Sequence, residues 1–89
     1  MAKAEISWKR VTDAGDKLQV YAQQVGHDWR FFQRAKRFDR WIAVEEPPLE
    51  DWLALLDALE RLVVRRRYQP DDEDRLRRKI RERFPEAGI

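Results

Sequence analysis

Two consecutive prolines, Pro47 and Pro48, divide the chain into halves that follow different hydrophobic periods. Proline has no backbone N–H and a preset φ, so it fits the first turn of a helix and interrupts whatever precedes it. Beyond the pair, Leu49, Trp52, Leu56, Leu59 and Val63 recur at helical spacing. Leu53, Leu55 and Leu62 widen that stripe to about half of the cylinder. A single packing partner needs less, so this segment is expected to be the central core element, between a second helix and the rest of the fold. Arg65, Arg66 and Arg67 suit the negative pole of its C-terminus, and Tyr68-Gln69-Pro70 stops it.

A second helix is expected from about Pro70 to Phe84, ended by Pro85. Its apolar stripe is narrow: Leu76, Ile80 and Phe84 at i, i+4 and i+8. The pairs Asp71–Arg75, Glu73–Arg77 and Asp74–Arg78 add ~0.2–0.5 kcal/mol each, too little to hold an isolated helix of this length. The stripe must therefore dock, most simply against the first helix as an antiparallel hairpin, which makes these three residues core.

Charge supports both helices. Glu45 to Glu60 holds six acids and no base, Arg61 to Arg67 four bases and no acid. Asp71 to Asp74 then precedes six bases between Arg75 and Arg83. Acid first and base last, twice over, complements two helix dipoles. A basic tail for nucleic acid would not be interleaved with acidic blocks in this way.

The first half follows a period of two. Glu5 to Thr12 is rich in β-formers and ends at the turn Asp13-Ala14-Gly15-Asp16. Lys17 to Val25 alternates Leu18, Val20 and Ala22 with Gln19, Tyr21 and Gln23. Gly26-His27-Asp28 has hairpin length. Trp29 to Arg34 reads as a third strand, Ala35 to Asp39 as a bend, and Trp41 to Val44 as a short fourth strand. A helix competes over residues 29–42, because Phe31, Ala35, Phe38 and Ile42 also fit helical spacing and Asp28 could cap it. Strands are preferred because the aromatics at 29, 31 and 32 share no narrow helical face and a hairpin accounts for Gly26. Alternation then places Ile6, Trp8, Leu18, Val20, Ala22, Trp29 and Phe31 on an apolar face, which the helix pair is expected to cover. Lys9, Val11, Gln19, Tyr21, Gln23, Arg30, Phe32 and Arg34 fall on the opposite one.

The expected architecture is α+β: a three- or four-stranded antiparallel β-meander with a C-terminal helical hairpin packed on one face. At 89 residues a single domain is expected, with the sheet in 1–44, a proline-containing linker in 45–48, the hairpin in 49–85 and a tail in 86–89. The stretch Met-Ala-Lys-Ala-Glu-Ile-Ser has no apolar signal core, so a cytoplasmic location is expected.

Residues for chemistry are scarce. The chain has no Cys, one His (His27), one Ser (Ser7) and one Thr (Thr12). A Ser–His pair would need the two within hydrogen-bond reach, which nothing in the sequence requires, and His27 reads as a solvated turn residue. Gly15, Gly26 and Gly88 start no helix, so there is no phosphate-cradling loop. Zinc would lack both Cys and a second His. Glu45, Glu46, Glu50 and Asp51 could hold a divalent cation, but helix-start acids account for them. The expectation is a protein without catalytic activity, cofactor or metal.

Only Trp29 to Trp41 stands out as a source of binding, with five bases, one acid and five aromatics. Arg30, Phe32 and Arg34 would face outward beside Tyr21 and Lys9, with Lys36 and Arg37 at the adjoining bend. Such a surface fits a protein partner or a second copy of the chain, since Arg, Trp and Tyr dominate interface hot spots. Single-stranded nucleic acid is the alternative, with cations on phosphates and rings on bases. Against both stands ordinary packing, in which Phe32 and Tyr21 are a cross-strand pair and Trp29, Phe31, Phe38 and Trp41 fill the core. No membrane and no small-molecule ligand are indicated.

Overall fold

A computed structural model describes residues 5–89. Residues 1–4, the first part of the stretch without an apolar signal core, lie outside the described residues. The order of elements is β1 (Glu5–Val11), β2 (Lys17–Val25), β3 (Asp28–Arg34), β4 (Ile42–Val44), α1 (Leu49–Val64) and α2 (Pro70–Arg83), with a 3₁₀ turn at Pro85–Ala87. The class is α+β, a four-stranded antiparallel sheet followed by two helices. The chain divides between Pro47 and Pro48 into two compact units.

In the first unit the sheet is a meander in the order β1-β2-β3-β4. The helical alternative for residues 28–42 is excluded, because Asp28 to Arg34 pairs along β2 from Val25↔Asp28 to Gln19↔Arg34. Asp28 belongs to the strand, so the turn has only two residues, Gly26 and His27. Gly26 has a φ of 62° and no Cβ to oppose it, while His27 keeps a negative φ. That combination is the type II′ turn, whose twist matches the flanking strands. At the other hairpin Thr12 closes a wider loop, its N–H donating to Asp16 O at 2.8 Å and its Oγ1 accepting from Asp16 N at 3.1 Å. Thr12 therefore falls just outside β1.

The register sorts the side chains. Ile6↔Ala22, Trp8↔Val20 and Ala22↔Phe31 place one apolar set on a common face, and Ile6, Val20, Ala22, Trp29 and Phe31 are buried there. Trp8 meets Phe31 edge to face, with centroids 6.0 Å apart. The faces are as alternation predicts, because a period of two leaves no other arrangement once pairing begins.

In the second unit Trp52, Leu55, Leu56 and Leu59 of α1 and Leu76 and Ile80 of α2 are buried. The two helices touch and run antiparallel: Arg83 lies over the Trp52 ring at 5.3 Å and Arg77 pairs with Glu60. Each buried Leu or Ile contributes on the order of 1.5–3 kcal/mol, far more than the surface ion pairs. The buried stripe of α1 is narrower than its leucine content implies. Leu53 is 38% exposed, Val63 is half-buried and Val64, beyond it, is 82% exposed. Phe84 is half-buried and caps α2 rather than extending it. Pro85 then opens a 3₁₀ turn over Pro85–Ala87.

Acidic and basic residues sit at the helix ends that favour them. Glu50 and Asp51 occupy the first turn of α1, and Asp71, Asp72 and Glu73 that of α2, which ends on Arg81 and Arg83. Asp72 accepts the Gln69 backbone N–H at 3.0 Å and also takes Arg75 at 2.7 Å. Arg75 therefore reaches an acid three residues back, not the expected Asp71. Arg77 holds Glu73 as expected and bridges to Glu60 as well.

The link between the helices has one unusual residue. After Val64 the Arg67 N–H donates to Leu62 O and the Arg66 N–H to Val63 O, both at 2.9 Å. These two bonds form a Schellman cap, whose left-handed position normally holds glycine. Here it holds Arg66, at φ 62°.

Candidate functional site

Opposite the buried face, the strand pairing builds two parallel rows of side chains. One row runs Ser7, Tyr21, Phe32 and Ala43, and the next runs Lys9, Gln19 and Arg34. β3 pairs with β4 through Phe32↔Ala43 and Gln33↔Ile42. One further step in that register sets Trp41 across from Arg34.

The rings assemble around Tyr21. Phe32 stacks on it at 4.8 Å with the planes 13° apart, and Trp41 meets it edge to face at 4.7 Å. The Arg34 guanidinium lies 4.2 Å from the Trp41 centroid and donates from Nε to Gln19 Oε1 at 2.6 Å. Tyr21, Phe32, Arg34 and Gln19 are half-buried, and Trp41 is 37% exposed. A recess of about 370 Å³ opens among Ser7, Trp8, Lys9, Gln19, Val20, Arg34 and Trp41. Burial, and then the nearby Glu5 carboxylate, raise the Tyr21 hydroxyl above its ordinary pKa.

Charge on this face is graded. Lys9, Lys17 and Arg34 gather at the end where β1 leaves for its loop, whereas Glu5 and Asp28 lie at the other end with Arg30. Of the seven residues expected to form the surface, Tyr21, Phe32 and Arg34 are in contact or adjacent rows, with Lys9 beside them. Arg30 is exposed two residues from Phe32. Lys36 and Arg37 lie off the sheet, in the loop to β4. That loop is closed by Asp39, whose N–H donates to Lys36 O at 3.0 Å and whose Oδ2 accepts from Lys36 N at 3.2 Å.

Two aromatics differ from the core assignment. Phe38 is 94% exposed at this loop, with Arg37 5.9 Å from its ring centroid. Trp41 precedes β4 instead of starting it, and packs on the outward cluster. Sequence reasoning left Trp41 out of the surface; the signal was its register with Arg34, legible only once β4 is paired.

Ser7 and His27 are not neighbours. Ser7 faces Tyr21, and the turn carrying His27 begins at Gly26, five residues past Tyr21, roughly 16 Å of strand. Glu50 and Asp51 are first-turn residues of α1, and Asp51 is buried. Among the described residues no group of three or more His, Cys, Asp or Glu is placed to hold a metal ion, and no helix is long and apolar enough to cross a membrane. The chain matches no protein-family model, curated protein or solved structure at a significant level. Its class is therefore defined by the fold alone: an α+β protein with an aromatic and basic cluster on one face of its sheet.

Proposed function

We propose that this chain is a non-enzymatic protein-interaction module that engages its partner on the outward face of the sheet. Tyr21, Phe32 and Trp41 are the anchors, and Lys9, Arg30, Arg34, Lys36 and Arg37 form a basic rim. The observation that carries this reading is the cluster Phe32–Tyr21–Trp41–Arg34, held on the face opposite the buried one. Aromatic and Arg side chains prefixed in this way lose little entropy on docking, which is what hot-spot residues require.

The same geometry disfavours nucleic acid. A stacking platform needs ring faces open to bases, whereas Tyr21 and Phe32 cover one face of each other and Arg34 covers Trp41. A formal net charge of only +2 is also a weak field for a polyanion. Self-association remains within the interaction reading, with a second copy as partner.

The test uses Arg30→Ala combined with Phe32→Ala, which removes rim and anchor without touching the buried face. The wild-type chain should retain a specific protein, or show a multiple of its mass by light scattering, while the folded double variant does neither. Unfolding of the double variant would make Phe32 core and remove the proposed surface. A log-linear fall of oligothymidine binding with salt, abolished by the same substitutions, would assign the face to nucleic acid instead.

A further inference from the structure

We propose that the recess at the basic end of this face binds a carboxylate, taking an Asp or Glu side chain of the protein partner. The inference rests on the protein-docking reading above and adds the chemical group that the site selects.

The recess has a cation on each side and an indole wall, with Ser7, Lys9, Gln19, Arg34 and Trp41 lining it. Lys9, Gln19 and Arg34 occupy one row across three strands, so Lys9 and Arg34 stand about 10 Å apart at the backbone. Their side chains can converge on one anion between them. Arg34 is set in place from two directions. Gln19 takes its Nε–H, and the guanidinium carbon lies over the Trp41 ring. With Nε engaged, the two Nη groups are the donors left for a ligand, and paired N–H donors match the two oxygens of a carboxylate. The ion pairs of the described residues involve neither Lys9 nor Arg34. Partial burial of Arg34 lowers the competition from water.

A carboxylate on a protein fits better than a phosphate backbone. Glu5 and Asp28 stand at the far end of the same face, and a nucleic acid crossing the sheet would run from the cations into these acids. A protein surface can present one acid to the recess and a neutral or basic group beyond it.

The experiment is an NMR titration of the full chain labelled with ¹⁵N, following the Arg34 Nε–H and Trp41 Nε1–H signals. The probes are an acetylated, amidated Gly-Glu-Gly-Glu-Gly peptide, its glutamine counterpart, inorganic phosphate and oligothymidine. The Glu peptide should shift both signals saturably, and the Gln peptide should not. Lys9→Ala and Arg34→Lys should each weaken the Glu peptide about tenfold, the latter although charge is retained. Gln19→Ala should weaken it less, by releasing the guanidinium. Equal shifts with the Gln peptide, unchanged binding by Arg34→Lys, or tighter binding of phosphate or oligothymidine would overturn the assignment. The wild-type chain separates the two readings: a saturable, Glu-selective response from a chain that retains no protein and stays monomeric keeps the recess and removes the docking face, whereas retention of a protein without that response overturns the recess alone.

Discussion

Replacing Arg66 by glycine should stabilise the helical unit, against the usual rule for glycine near a helix. Arg66 holds the left-handed position of the cap that ends α1. For a residue with a Cβ that conformation costs roughly 1–2 kcal/mol, which glycine does not incur. Glycine also loosens the unfolded chain, at a cost of about 0.4–1 kcal/mol. Removing the arginine charge near the helix C-terminus matters too, so the informative comparison is Arg66→Gly against Arg66→Ala, where both lose the charge. Glycine should be the more stable by ~0.5–1 kcal/mol. At the exposed position Arg78, inside α2, the order should reverse, with alanine ahead by about 1 kcal/mol. Urea and thermal unfolding followed by circular dichroism would show it, since 1 kcal/mol moves Tm by about 4–8 °C in a domain of this size. If Arg66→Gly unfolds no later than Arg66→Ala, Arg66 is not held in the left-handed region and the cap geometry is wrong.

Trp52→Ala should cost ~3–5 kcal/mol, because the ring is buried in α1 beside Leu55, Leu56 and Leu59; an unchanged denaturation midpoint would contradict its place in the core. Alkaline stability should fall as pH rises past about 10. Burial first, and then Glu5 for Tyr21 and Asp72 for Tyr68, raise both phenols above their unfolded value. The folded state thus binds more protons than the unfolded state over that window, and the stabilisation present below pH 10 is lost as the folded pKa values are passed. Tyr21→Phe and Tyr68→Phe should each flatten the decline, and phenolate absorbance should reveal late titration in the wild type; ordinary titration of both would refute the sign.

Much of the fold was legible in local pattern. Gly26 marked a hairpin because only a turn uses its positive φ cheaply, and the alternation of Leu18, Val20 and Ala22 sorted three strands onto two faces. Pro48 and Pro70 placed the helix starts to the residue. The competition between strand and helix over residues 28–42 was another matter, since Phe31, Ala35, Phe38 and Ile42 fit the helical period while Trp29 and Phe31 also fit the period of two. Pairing with β2 settled it, and such pairing is a non-local contact that no short window contains. In the site, Tyr21, Phe32 and Arg34 follow from alternation, whereas Trp41 does not. Its side depends on how a seven-residue loop returns the chain to β3.

The periods of two and 3.6, and the prolines and glycines between them, are properties of neighbouring residues, so the amino-acid order by itself determined the elements and which strand residues share a face. What covers the Trp41 ring, why Phe38 stands in water, and why an arginine adopts a backbone conformation suited to glycine were decided only by the tertiary structure. Each depends on the return path of a loop or on the hydrogen bonds that close a helix, and these are fixed when segments distant in sequence or beyond one helical turn are brought together.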